Sequence, residues 1–144
     1  MLEIPKILTP CQDIIRVAKT KPKFAALLAA IGEIPIDCIE CSHLGAEGNS
    51  KALIRIDPLS IEICENRNST PESIEISLKH ELVHAFDFKL NRYDMFTCDG
   101  LAASEIRAAR DAECAGSYFA EWFRHRCIKE RAKASTAVGT HSHM

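Results

Sequence analysis

The stretch PESIEISLKHELVHAFDFKL, residues 71–90, has the pattern of one helix with two different faces. Thr70 stands before it as a candidate N-cap, Pro71 suits the first helical position, and Glu72 and Glu75 complement the positive helix end, so a helix is predicted from about Pro71 to Leu90. Ile74, Leu78, Leu82, Phe86 and Leu90 recur every four residues, and Val83 broadens that stripe toward a core. On the other side stands His80-Glu81-Leu82-Val83-His84, an HExxH pattern. Residues four apart share a helical face, so both imidazoles can reach one ion, and Asp87 falls on the same narrow stripe. One step round, Glu81 is placed to take a proton from water in the position that a catalytic zinc keeps open. The spacing therefore predicts zinc, with His80 and His84 as ligands and Glu81 as the general base of peptide-bond hydrolysis. Two histidines brought together by chance would not need a mid-helix position, behind a cap, opposite an apolar stripe.

Zinc needs a third protein ligand. The metzincin extension requires glycine at 87 and histidine at 90, where this chain has Asp87 and Leu90, so that class is excluded. After a turn at Asp99-Gly100, a second helical region is predicted from about Leu101 to Lys133, interrupted near Gly116. At about 100° per residue, Glu105 shares a face with Leu101, Ala108, Ala109, Ala112, Gly116 and Phe119, while Arg107 and Arg110 point elsewhere. Small residues let another helix approach closely, and a carboxylate buried there is costly unless a metal or donor compensates it. Glu105 is thus the expected third ligand, ahead of a plain pairing with an arginine. Asp87 is the fallback ligand, or else an acceptor for a histidine N–H. Lys79, Arg92, Tyr93 and Arg107 are available as oxyanion donors, although surface positions and salt bridges are the commoner fates of such side chains.

Upstream, Ile14, Ile15, Val17 and Ala18 form an apolar stripe before Pro22, and Phe24, Leu27, Leu28 and Ile31 resume it until Gly32, which predicts two short helices. From Ile34 the period changes to two, through Ile36 and Cys38, then over 53–57 and 59–64, as strands of a small antiparallel sheet. Between them, Gly45 to Lys51 lacks the GxxxxGK[ST] spacing of a phosphate loop and reads as a turn. The expected fold is α+β: a small antiparallel sheet packed against the HExxH helix and the helix after it, in the manner of a minimal gluzincin. Residues 1–134 are read as a single domain and 135–144 as a flexible tail, whose His141 and His143 lack rigid support for a metal.

Cys11, Cys38, Cys41, Cys64, Cys98, Cys114 and Cys127 make seven cysteines in 144 residues, which suggests disulfides. An odd number leaves at least one thiol free, on a metal or paired with another chain, and spacing does not assign the partners. Cys38 and Cys41 form a CxxC, but no second CxxC completes a zinc ribbon, so disulfides or structural thiols are favoured. The 18 basic and 20 acidic residues nearly cancel, so net charge offers no field for gathering nucleic acid or anionic membrane, and no nucleic-acid partner is expected. The longest apolar stretch, Ala25 to Ile31, is too short to span a bilayer, and MLEIPKILTPC reads as neither a signal nor an Arg-rich transit peptide, so a soluble mature chain is expected.

HELVHAFD at 80–87, then Asp94, then LAASEIRAARDAEC at 101–114 resembles the mitochondrial ATP-synthase-processing metalloprotease family, also called the Ku-binding protein family. The likeness covers nearly the whole chain: Cys11-Gln12 before the first helix, the CxxC, Cys64 at a strand end and Cys127 fall where family cysteines would. The resemblance implies a zinc metalloendopeptidase of the mitochondrial intermembrane space, peripheral to the inner membrane and without a transmembrane segment. Its implied partner is a protein substrate within a mitochondrial membrane complex, ATP synthase, one of whose subunits the family matures and helps to assemble. Met95 departs from a family tryptophan, Gly100 from the histidine of HxACSE and Ala103 from its cysteine, and one cysteine before the CxxC is missing. Those departures sustain a second reading, a non-catalytic assembly factor or structural subunit of a mitochondrial complex that retains the metalloprotease fold.

Overall fold

Two proline-started helices open the described chain, which covers residues 7–42, 50–114 and 126–133 of a computed structural model. Thr9 and Gln12 each hydrogen-bond the other's backbone N–H in a capping box at the start of α1 (Pro10–Ala18), and Pro22 begins α2 (Pro22–Ile31). Gly32 ends α2 at φ 89°, a backbone that glycine adopts readily and other residues resist. Both helices thus fall on either side of the expected break at Pro22.

Three strands follow, β1 (Ile36–Ile39), β2 (Ala52–Ile56) and β3 (Leu59–Cys64), in the spatial order β1-β3-β2. β2 and β3 pair antiparallel, with Ile54 opposite Ile61, whereas β1 runs parallel to β3, with Ile36 opposite Ile61. The sheet is therefore mixed, which corrects the antiparallel sheet expected from the sequence. Alternation fixes which side chains share a face and says nothing about strand direction. The chain between β1 and β3, residues 40–58, is long enough for the return that a parallel pair needs.

Disulfides fasten this layer. Cys11–Cys38 ties α1 to β1, and Cys41–Cys64 ties the chain after β1 to the end of β3. They close sequence separations of 27 and 23 residues, which a chain-entropy argument values at about 3.5 kcal/mol each. The two cysteines of the CxxC have different partners, so they are no half of a zinc ribbon. A third bridge joins Cys114 to Cys127, while Cys98 remains an exposed free thiol. Cys98 is thus removed from the seven disulfide candidates, as the odd count requires of at least one.

α3 (Pro71–Lys89) carries the expected cap, with Thr70 accepting from the Ser73 N–H at 3.1 Å. Its apolar face, Ile74, Leu78, Leu82 and Ala85, packs into a core with Ile15, Phe24, Ile61 and Ile63. Leu78 and Leu82 are wholly buried, and each contributes about 2 kcal/mol through that burial. The stripe stops short of its expected end, since Leu90 is 47% exposed. Asn68 fixes the helix to the sheet: its amide donates to Cys64 O and Lys51 O, and its carbonyl accepts from the hydroxyls of Ser73 and Ser77. A buried amide so fully bonded sets the direction in which α3 leaves the sheet.

α4 (Cys98–Asp111) begins at Thr97, whose hydroxyl accepts from the Gly100 N–H, and packs on the face of α3 turned away from the sheet. Leu101, Ser104, Glu105, Ala108 and Ala109 are buried there, the small-residue face expected from the sequence. The helical region expected from Leu101 to Lys133, interrupted near Gly116, breaks earlier than expected, because α4 ends at Asp111. Ala112 leaves the helical region at φ −110°, ψ −82°, and the Cys114 N–H closes back on Ala109 O at 2.9 Å. A separate helix, α5, spans 126–133. Gly116, Phe119, the 45–49 part of the expected turn and the tail with His141 and His143 lie outside the described residues. Among the described residues, no helix is long and apolar enough to cross a membrane.

Candidate active site

Because α3 spends one face on the core, the stripe bearing His80, His84 and Asp87 meets α4. His80 and His84 stand one turn apart with their Nε2 atoms 3.1 Å from each other. From α4, Glu105 lays one oxygen against each ring, Oε2 at 3.1 Å from His80 Nε2 and Oε1 at 3.0 Å from His84 Nε2. Ligand atoms around a tetrahedral zinc with bonds of about 2.0–2.1 Å stand about 3.3–3.4 Å apart. The nitrogen–nitrogen distance and the distance from each nitrogen to its own Glu105 oxygen are within a few tenths of an ångström of that edge, and one donor atom from each residue lies within 4.8 Å of the other two, so the donor set suits such an ion. Asp87 is not part of this cluster.

Asp87 instead supports it from behind. Ser104 Oγ donates to Asp87 Oδ2 at 2.8 Å and lies 2.7 Å from His84 Nδ1. A hydroxyl that gives its only proton to the carboxylate must accept from the ring, so His84 carries a proton on Nδ1 and Nε2 is the atom that faces His80 and Glu105. Asp87 is wholly buried, with Arg107 Nε at 3.4 Å and Arg92 Nε at 4.0 Å from Oδ1. Burial pushes the Asp87 carboxyl up, while Ser104, Arg107 and Arg92 work against that rise. Arg107, expected to point away from the site, is therefore joined to it through Asp87, and its guanidinium also stacks over Phe86 at 5.5 Å. Its long side chain reaches round α4, which a plot of Cα directions does not capture.

Two carboxylates act on His80. Glu105 faces Nε2, and Glu113 Oε1 lies 2.6 Å from Nδ1. Burial alone would lower the basicity of this ring, but the paired carboxylates, with Glu81 adding its charge, hold His80 well above its usual range. Burial likewise opposes ionisation of Glu105, and the hydrogen bonds and charges of His80 and His84 overcome it, holding that carboxyl far below the usual carboxylate range. Glu81, next along α3, is buried, and its Oε2 has no hydrogen-bond partner among the described residues. A buried carboxylate oxygen left unpaired is costly and remains available to a proton donor that enters the site.

The Peptidase M76 family pattern matches residues 11–143. The chain belongs to the Peptidase M76 family. It is the family that the HELVHAFD and SEIRA segments resemble, and membership brings with it a metallopeptidase function, a metal ion and protein substrates. No curated protein and no solved structure matches the chain.

In this M76 chain, position 100 has no room for a side chain. A Cβ on Gly100 would stand 1.9 Å from Asp94 O and 2.9 Å from Thr97 Oγ1, because the turn before α4 closes directly over it. The glycine at 100 and the path of the 94–97 turn are thus one feature. The polar groups missed in the sequence are Ser104, as the link between Asp87 and His84, and Glu113, as the partner of His80. Ser104 sits beside Glu105 and opposes Asp87 once α3 and α4 run antiparallel, a pairing that helix-wheel reasoning across both helices could have found. Glu113 depends on the end of α4 at Asp111, which no glycine or proline announces.

Proposed function

We propose that this protein is a zinc-dependent endopeptidase in which His80, His84 and Glu105 hold the metal and Glu81 is the general base. The observation that carries the reading is the triangle of His80 Nε2, His84 Nε2 and the Glu105 carboxylate, at 3.0–3.1 Å separations. Zinc, when bound, polarises the scissile carbonyl and makes a nearby water more acidic. Glu81 takes the proton of the attacking water and returns it to the leaving amine. Ser104 and Asp87 hold His84 in one tautomer, and Arg107 and Arg92 place compensating positive charge beside Asp87. The arrangement of the HExxH helix against sheet and α4 supports a minimal gluzincin-like architecture, with the chain before residue 135 as one domain.

Family membership supports the finer assignment: a protease and assembly factor that matures an ATP synthase subunit, in the mitochondrial intermembrane space and peripheral to the inner membrane. The disulfides suit an oxidising compartment. A second reading, a non-catalytic assembly factor or structural subunit, is favoured by Gly100, which replaces the histidine of the family pattern at a position where the Asp94 carbonyl leaves no room for a Cβ. Glu81→Gln separates the two. It is expected to abolish proteolysis of an unfolded protein substrate while zinc content stays at wild-type level, since the base is removed and the ligands are spared. Turnover equal to wild type would refute the assignment of Glu81, and a wild-type protein that holds zinc without cleaving reconstituted ATP synthase precursors would favour the assembly role.

A further inference from the structure

Glu113 is a carboxylate in an unusual setting. It lies two residues past the end of α4, partly buried, with Oε1 2.6 Å from His80 Nδ1 and Oε2 buried without a hydrogen-bond partner among the described residues. A carboxylate in that position is costly unless it is used. Its backbone is also held from the next residue: Cys114 is buried, its N–H bonds Ala109 O at 2.9 Å, and its sulfur is joined to Cys127 in α5. Had α4 continued as a regular helix, residue 113 would have been carried about 80° round from Glu105. The turn at Ala112 aims it at the back of His80 instead.

We infer that Glu113 is a positioning residue for His80, and that the Cys114–Cys127 bridge holds it there. The inference rests on the zinc reading of His80, His84 and Glu105. Glu113 sets its Oε1 2.6 Å from His80 Nδ1 as an ion-pair partner, and that contact fixes the ring's orientation and directs Nε2 into the cluster, as Ser104 does for His84. The two histidines are thus backed from different sides by different chemistry, a serine relay within α4 for one and a carboxylate held by a cross-link for the other. The bridge to α5 gives that helix a part in the site although Cys127 contributes none of the cluster atoms.

The test compares wild type with Glu113→Gln by zinc affinity, measured in competition with a chromogenic chelator, and by proton NMR of the His80 ring. Glu113→Gln is expected to bind zinc 10–100-fold more weakly and to lose the downfield, slowly exchanging Nδ1–H signal of His80. A purely structural role would lower the melting temperature and leave both readouts unmoved, and that result would overturn the inference. In a Cys98→Ser background, Cys127→Ser is expected to weaken zinc in the same direction and to broaden the same signal; affinity and signal equal to Cys98→Ser alone would remove the bridge from the proposal. A wild-type chain that takes up no zinc would refute the zinc reading, and the His80 signal in Glu113→Gln would still decide the contact itself.

Discussion

Ser104→Ala removes one hydroxyl and leaves two buried groups short of partners. Asp87 Oδ2 loses its donor at 2.8 Å, and His84 Nδ1 loses its acceptor at 2.7 Å. Both residues are wholly buried, so water does not replace the lost bonds at the surface. An unsatisfied buried polar group costs about 1–3 kcal/mol, which puts the loss of stability in the metal-free protein at about 2–6 kcal/mol for the pair. A separate effect falls on the metal: His84 is no longer held with its proton on Nδ1, and loss of such a supporting group lowers metal affinity about 10–100-fold. At a fixed excess of zinc, that change removes about 1.4–2.7 kcal/mol of the stabilisation that zinc confers. Urea unfolding with and without zinc reads both quantities, and chelator competition reads the affinity alone. If Ser104→Ala loses stability while its zinc affinity stays within twofold of wild type, the serine is a packing residue and the relay from Asp87 to His84 plays no part in holding metal.

Two further outcomes follow from the same geometry. Zinc binding at pH 7 is expected to release a proton from His80, because burial lowers its basicity but Glu105 and Glu113 raise it well above the usual range, and the metal needs the Nε2 lone pair. Titration calorimetry in two buffers of different ionisation enthalpy detects it, and buffer-independent heats would contradict the protonated state. By linkage, the His80 contribution to the metal-free fold is complete below about pH 6.5, the unfolded value, and is lost as pH rises through the higher folded value. Gly100→Ala is expected to destabilise the fold by about 1–3 kcal/mol, since its Cβ would meet the Asp94 carbonyl oxygen at 1.9 Å. An unchanged urea midpoint would show that the 94–97 turn moves aside freely.

The parts of the site legible in the sequence are those fixed by helical spacing. His80, Glu81 and His84 sit within one turn and a half of one helix, and Glu105 follows from the small-residue face of α4, so each is placed by local geometry. Asp87 shares the histidine stripe, but its separation from the cluster depends on where α4 inserts Ser104, a fact of packing between helices. Glu113 and Arg107 were hidden for related reasons. One depends on a helix that stops without a proline or glycine, the other on a side chain long enough to turn the corner of α4. In the sheet, alternation marks Ile36, Ile54, Ile61 and Ile63 as inward residues, yet it carries no sign for strand direction, so the parallel pairing of β1 with β3 emerges only in three dimensions. The cysteine count announces an unpaired thiol without saying that it is Cys98, because disulfide partners are chosen by the fold.

The central claim is that the His80–His84–Glu105 cluster is a zinc site. Zinc per chain, measured by elemental mass spectrometry on freshly purified, unchelated protein, tests it most directly, beside a His80→Ala, His84→Ala double variant shown by circular dichroism to retain its fold. One zinc per chain in the wild type and none in the variant is the expected result. A wild type with no zinc, or a variant that keeps a full complement, would contradict the account.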